Sequence, residues 1–299
     1  MMEVPLVTVV VISYNHSAYI KECLDSIKNQ TYSNIQLIVG DDASQDNSVS
    51  IFENWLSDNN FLAEKKFHSK NTGLAEILNE CIKLAKGKYI KLIAADDFLH
   101  PEAIEKSVEE LEKLGNNFGM VFTDTYGVDE NSNRIPDIAD YDSLGNIDKD
   151  IFRKQLIKGN RIAALTVVMR KEALIKTGEY KSDFITEDYF RWLKINALYY
   201  IAYIPQKLAY YRIHESNLSS SKKERIDIET LILQMMFDKD GDVKDKLNGI
   251  TQKQYIAGEK MSLQYIEAYK KYPFNIKRLS IALQYKVPVF LYKFLNKII

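Results

Sequence analysis

Two apolar runs in this chain each stop abruptly at a pair of adjacent aspartates. One is Ile35-Gln36-Leu37-Ile38-Val39-Gly40-Asp41-Asp42; the other runs from Tyr89 through Ala95 to Asp96-Asp97. Such runs read as buried strands. Two carboxylates at a strand end repel one another unless a cation, or the hydroxyls of a ligand, shares their site. In open α/β sheets that carboxyl edge is where ligands bind. A single pair is a weak signal, but two in one array point to a site for a nucleotide and a metal ion.

Strand and helix signals alternate through the first 125 residues. Val7–Ile12 is β-branched and apolar, and Ile20, Cys23, Leu24 and Ile27 follow at helical spacing. After the strand Ile35–Val39 comes a second stripe, Val49, Phe52, Trp55 and Leu56, then a short strand within Phe61–Phe67. Leu74, Ile77, Leu78, Cys81, Ile82 and Ala85 form a third helix, with Gly87 expected as its C′ terminator. Pro101 is expected at the start of a helix carrying Ile104, Val108 and Leu111, and Phe118–Thr123 is a further strand. The pattern predicts an α/β fold: a mostly parallel central sheet flanked by helices. Between Asp124 and Asn160 regularity fails and loops are expected. A second block has strands at Leu165–Met169, Tyr199–Ile204 and Leu208–Ile213, and a helix that starts at Thr186-Glu187-Asp188. From Lys222 the pattern is helical, broken at Pro273 and Pro288. The expected division is a catalytic domain over 1–220, with halves 1–125 and 126–220, and a helical C-terminal extension over 221–299.

With 299 residues and a formal net charge of −1, the chain is ordinary in bulk but uneven in charge. From Lys270 to Ile299 there are seven basic residues and no acidic one, so the remainder is acidic, which argues against a general nucleic-acid binder. Cys23 and Cys81 fall on apolar helix faces as reduced thiols, and no Cys/His spacing of the metal-site kind occurs. The N-terminus lacks a basic n-region, and no run is long enough to cross a bilayer. A cytoplasmic location is expected.

At the level of motifs the chain resembles the inverting family-2 glycosyltransferases of the GT-A nucleotide-diphospho-sugar fold, over Val7 to about His214. Val9-Val10-Val11-Ile12-Ser13-Tyr14-Asn15 resembles the opening nucleotide-binding strand, and Asp41-Asp42-Ala43-Ser44-Gln45-Asp46 the base-binding turn. Asn71-Thr72-Gly73 to Asn79, then Ala85 to Ile90, resembles the segment leading to the metal-site strand. Ala95-Asp96-Asp97 resembles the metal motif, Glu187-Asp188 the catalytic pair, and Tyr211-Arg212-Ile213-His214 the late histidine motif. Two departures stand out: Ala94 occupies a position often acidic in the family, and Leu78 one often held by Arg.

The resemblance implies a divalent cation, Mn2+ or Mg2+, held by Asp97 and His214, with Asp96 nearer the ribose hydroxyls. Ser13, Tyr14, Asn15, Asp41 and Asp42 are expected around the base, and Arg212 either at a phosphate or paired with a surface acid. Asp188 is the expected general base, because an acceptor hydroxyl must lose its proton as it attacks, with Glu187 as its alternate. Simpler readings exist for each: Asp96-Asp97 as a helix cap before Pro101, Asp41-Asp42 as an Asx turn with Asp46 as N-cap, and Glu187-Asp188 as dipole-favouring residues of a first turn. His16, His68 and His100 have no such context and read as loop or capping residues. The implied activity is transfer of a sugar from a nucleotide-diphosphate sugar, a UDP-sugar first, to a glycan or polyprenyl-diphosphate-linked glycan in cell-surface polysaccharide synthesis of the O-antigen or capsule kind. The alternative from another class is a non-catalytic nucleotide-sugar- or glycan-binding protein on the same fold. A dinucleotide oxidoreductase is set aside because no Gly-x-Gly-x-x-Gly follows the first strand. The cationic, apolar tail is expected either to contact the cytoplasmic face of the inner membrane or to pack on protein.

Overall fold

A computed structural model describes residues 4–136, 148–215, 217 and 222–298, the last four of these by backbone alone. Part of the polar stretch, 137–147, and the apolar tail side chains Leu295, Ile298 and Ile299 lie outside the described set. Two compact units emerge, one of residues 1–153 with 161–217, the other of 154–160 with 218–299.

The first unit opens with β1 (Val7–Ser13), α1 (Ile20–Lys28), β2 (Ile35–Asp41), α2 (Ser48–Asp58), β3 (Ala63–Phe67), α3 (Leu74–Leu84) and β4 (Tyr89–Ala94). It continues with β5 (Phe98–Leu99), α4 (Ala103–Leu114), β6 (Phe118–Val128) and the start of α5 (Lys149–Lys158), whose residues from Lys154 on belong to the second unit. Then come β7 (Val168–Arg170), α6 (Lys171–Lys176), α7 (Glu187–Leu198) and β8 (Tyr200–Arg212). These strands form one eight-stranded sheet in the order β3-β2-β1-β4-β7-β6-β8-β5. The β1–β2, β1–β4, β2–β3 and β6–β8 pairings are parallel, whereas β7 inserts antiparallel between β4 and β6, and β5 runs antiparallel to β8.

Helical periodicity and burial agree closely. Ile20, Cys23, Leu24 and Ile27 of α1 are all buried, as are Phe52, Trp55 and Leu56 of α2 and Ile104, Val108 and Leu111 of α4. They cover a sheet whose β1 is buried along its whole length, as expected for a strand shielded on both faces.

Four local expectations are corrected. The stretch Asp124–Asn160, expected as loops, holds the end of β6, to Val128, and the helix α5 over Lys149–Lys158. The two strands expected over Tyr199–Ile204 and Leu208–Ile213 are one, β8. Thr123 pairs with Ile204 and Asp124 with Lys207, so the break around Pro205 is absorbed as a bulge instead of a reversal. The strand expected at Leu165–Met169 begins with a 3-10 turn over Ala164–Thr166 and pairs only from Val168. Gly87 does not terminate α3, which ends at Leu84 with Ala85 as an extended C-cap. A Cβ at Gly87 would stand 2.5 Å from the Thr8 nitrogen and 2.8 Å from the Leu6 carbonyl, so glycine permits a backbone approach to β1 that no other residue allows.

The second unit is helical: Lys223–Phe237, Lys244–Ala257, Leu263–Lys271, Lys277–Gln284 and Val289–Ile298. Tyr265, Tyr269 and Tyr272 are buried within it, with Tyr272 donating to Asp238 Oδ2 at 2.5 Å and Tyr269 to Asn248 Oδ1 at 2.7 Å.

Candidate active site

The parallel strands β1, β2 and β4 end at one sheet edge, so Ser13, Asp41 and the Asp96-Asp97 turn arrive there together. The first acidic turn is saturated with protein hydrogen bonds. Asp41 is fully buried, and its carboxylate accepts the Ser44 N–H at 2.8 Å and the Ser44 hydroxyl at 2.6 Å. Ser44 Oγ in turn accepts the Asn15 N–H at 2.8 Å, and Asn15 Oδ1 accepts the Gln45 N–H at 2.7 Å. Asp42 accepts from Thr72 N at 2.9 Å, the Thr72 hydroxyl at 3.0 Å, Gly73 N at 2.7 Å and His68 Nδ1 at 2.8 Å. Burial pushes its pKa up, but those donors outweigh burial and hold it below the usual carboxylate value. His68 is therefore no bystander: it buttresses this turn.

Two residues at the loops lining this edge, Asn15 (φ 59°) and Ala43 (φ 63°), take left-handed backbone conformations. That region is unusual for alanine, and such strain concentrates at functional sites. Next to Asn15, Tyr14 is 44% exposed, an aromatic face open for stacking, while the buried Ser13 hydroxyl has no partner among the described residues.

The second acidic turn is built differently. Because Phe98 pairs with Tyr210 and Leu99 with Ala209 in antiparallel register, Asp96 and Asp97 come to lie beside Tyr211 and Arg212. Asp97 Oδ1 accepts the Arg212 backbone N–H at 3.0 Å. Burial, and next the charge of Asp96, pushes the Asp97 carboxyl well above its ordinary value. Asp96 faces the other way. His214 Nε2 donates to Asp96 Oδ2 at 3.1 Å, and His16 Nε2 lies 3.7 Å from the same oxygen. Burial works to raise the Asp96 pKa, but the His214 hydrogen bond and the nearby imidazoles outweigh it and lower it. Asp96 Oδ1 and His16 Nδ1 are buried without a partner among the described residues. Tyr19 stacks on the His214 ring, centroids 5.3 Å apart. Burial, with His214 adding to it and Asp96 opposing, lowers the His16 pKa.

His214 thus meets Asp96, whereas Asp97 is turned inward to the Arg212 N–H. Neither aspartate caps α4, whose N-cap is Glu102 with no side-chain cap bond. Arg212 takes the second of its two expected readings, pairing with an acid, Glu22. It is 1% exposed, and its guanidinium donates to the Asp96 carbonyl at 2.8 Å, the Asp129 carbonyl at 3.1 Å, the Ser132 hydroxyl at 3.0 Å and Glu22 at 2.5 Å. A guanidinium so engaged organises the acidic turn and has no fork left for a phosphate. Beneath the turn, Lys91 donates to the Leu165 carbonyl, and burial pulls its pKa down to about 7 against the opposing charge of Asp97.

Glu187 and Asp188 occupy the first turn of α7, both half-buried, with Thr186 as N-cap and Asp188 Oδ1 accepting the Tyr189 N–H at 2.6 Å. The helix-start and functional readings are both compatible with that position. The loop before them is pinned from α3 and from α7 itself. Asn79, on α3, donates to the Tyr180 carbonyl at 2.9 Å and accepts the Tyr180 N–H at 2.8 Å. The buried Arg191 lies 4.1 Å over the Tyr180 ring and donates to the Gly178 carbonyl at 2.6 Å.

The family model for "Glycosyl transferase family 2" matches residues 8–177, more than half of the chain. The chain belongs to glycosyl transferase family 2. A glycosyltransferase of Haemophilus influenzae is 32% identical over 72% of this chain and 68% of its own length. The chain spans about two thirds of the length of the curated relatives it matches over most of their extent, 66% and 68% in two cases. Among solved structures, Staphylococcus aureus TarS 1-349 in complex with UDP-GlcNAc superposes with a TM-score of 0.64 at 18% identity, covering 94% of this chain and 86% of that one. The mannosyltransferase PcManGT of Pyrobaculum calidifontis, in complex with GDP-Man and Mn2+, gives 0.63 at 17% identity, covering 99% and 79%. At such identities the likeness speaks for the fold, the GT-A arrangement of a sheet flanked by helices.

Within this family-2 glycosyltransferase, sequence reasoning missed His16, His68 and Glu22 as members of the site's framework. A signal existed for His16: it directly follows Ser13-Tyr14-Asn15 at the end of β1. None existed for Glu22, which reads as an ordinary exposed first-turn acid.

Proposed function

We propose that this family-2 glycosyltransferase is an inverting, divalent-metal-dependent enzyme that moves a hexose from a nucleotide-diphosphate sugar, a UDP-sugar first, to a glycan or polyprenyl-diphosphate-linked glycan. The observation that carries the reading is the convergence of the His214 and His16 imidazoles on the Asp96 carboxylate, with Asp96 Oδ1 buried at the ligand edge of the sheet and unpartnered among the described residues. Mixed oxygen and imidazole donors fit a first-row ion such as Mn2+ better than Mg2+. Among the described residues no three His, Cys, Asp or Glu side chains form a ready-made cage, so the donor's own diphosphate oxygens would supply the remaining ligands. When bound, such a cation neutralises the charge of the departing diphosphate. The domains in this reading are 1–220 for catalysis and 221–299 as an extension.

The chain's own residues would divide the remaining work. Tyr14 stacks on the base, and the Asp41 and Asp42 turn, held by Ser44, Thr72 and Gly73, forms its wall. Asp188 accepts the proton of the acceptor hydroxyl as it attacks the anomeric carbon, with Asn79 and Arg191 fixing the loop that leads into its helix. A location on the cytoplasmic side suits a nucleotide-sugar donor.

Isothermal titration of UDP, GDP and dTDP, with and without Mn2+, into wild type and Asp188→Asn tests this directly. One nucleotide should bind in a metal-dependent way, and Asp188→Asn should keep that affinity while transfer falls by about 10²–10⁴-fold. If no nucleotide binds either protein, the non-catalytic alternative takes its place in its glycan-binding form.

A further inference from the structure

The C-terminal unit presents large apolar side chains that its own packing does not use. In the helix Lys277–Gln284, Leu279, Ala282 and Leu283 are buried, whereas Ile281 is 54% exposed and Tyr285, the C-cap, 69%. The following helix, Val289–Ile298, turns Tyr292 inward, where its ring meets Tyr255 edge-on at 5.1 Å and its hydroxyl accepts from Gln252 at 3.3 Å. Phe290, Leu291 and Phe294 leave the opposite way, at 70%, 42% and 61% exposure. Isolated exposed apolar residues are ordinary, but a series of large ones on two successive helices marks an interaction surface.

Charge selects the partner. Lys277, Arg278, Lys286 and Lys293 are exposed on and between the same helices, and residues 270–299 contain no acid at all. A symmetric second copy would set this cationic surface against itself, a like-charge contact that costs affinity. An anionic surface with an apolar interior satisfies both halves of the pattern. No described helix is long and apolar enough to cross a membrane, so the segment would lie on a bilayer. We propose that the helices Lys277–Gln284 and Val289–Ile298 form a docking face for an anionic lipid bilayer. Ile281, Tyr285, Phe290 and Phe294 enter the headgroup–acyl boundary, and the lysines and Arg278 meet lipid phosphates. Both expectations for the tail then hold on different faces: one side packs on protein, the other on lipid. The inference is independent of the transfer chemistry.

Cosedimentation of the full chain with phosphatidylcholine vesicles, with and without phosphatidylglycerol, tests it. Wild type should bind only the anionic vesicles and leave them at about 0.5 M salt. Lys277→Gln with Arg278→Gln should lower partitioning about 30-fold, and Phe290→Ser with Phe294→Ser should release the protein. All four side chains are exposed, so unchanged thermal melts and unchanged nucleotide titration should accompany the loss. Absence of wild-type binding, equal binding in both variants, or a dimer that Phe290→Ser with Phe294→Ser dissociates without any vesicle binding would overturn the proposal.

Discussion

The two aspartate pairs look alike in sequence and are opposites in the folded chain. At Asp41-Asp42 every carboxylate oxygen accepts from the protein, and Asp42 alone draws four donors from Thr72, Gly73 and His68. At Asp96-Asp97 the shell is incomplete among the described residues: Asp97 leans on a backbone N–H from Arg212, and Asp96 keeps one buried oxygen without a partner there, beside two imidazoles. Buried carboxylates are tolerated when donors surround them, and an unfilled one is a reservoir of binding energy for a ligand. The first pair braces the wall of a site; the second is poised to meet something.

The sharpest break between the two turns is Asp96→Ala. It should abolish metal-dependent nucleotide binding, a loss of more than about 100-fold by titration if the carboxylate is a primary ligand; an unchanged isotherm would reduce the second turn to scaffolding like the first. Next in size, Asp42→Asn turns an amide toward an N–H donor, and loss of charge-assisted bonds should cost about 2–3 kcal/mol in denaturant unfolding. The same residue gives a pH signature. Its folded pKa lies below the unfolded one, so its stabilisation is complete above the unfolded value and is lost as pH falls through the folded value. Wild type should therefore lose stability more steeply than Asp42→Asn on acidification below about pH 4. The smallest effect is expected for Asp97→Asn. Its amide oxygen can still accept the Arg212 N–H, and the carboxyl it replaces is held toward its neutral form, so nucleotide affinity should change less than about threefold. A tenfold loss would restore Asp97 as the metal ligand that the motif implied.

Much of the architecture was legible in the chain. The apolar stripes of α1, α2 and α4 are the residues that became buried, the half-buried Val49 apart, because helical period and burial are the same constraint seen twice. Elements whose identity depends on non-local pairing were not. β7 carries only three paired residues and enters the sheet antiparallel, and β8 reads as two strands until β6 supplies a partner that tolerates the bulge at Pro205. Gly87 looked like a helix terminator, since sequence cannot reveal that Thr8 and Leu6 approach from another strand.

The same division runs through the site. Sequence alone determined which residues are acidic at strand ends, where the family motifs lie, and that the last thirty residues are cationic and apolar, for these are properties of composition and local order. Only the tertiary structure decided which aspartate faces His214, that His16 joins them across a separation of 80 residues in sequence from Asp96, and that Arg212 spends its guanidinium on Glu22 and the turn itself. The physical reason is register. The pairing of Phe98 with Tyr210 sets Arg212 beside the turn, where its N–H takes Asp97 Oδ1 and leaves Asp96 to the imidazoles, and no local pattern in either segment encodes that choice.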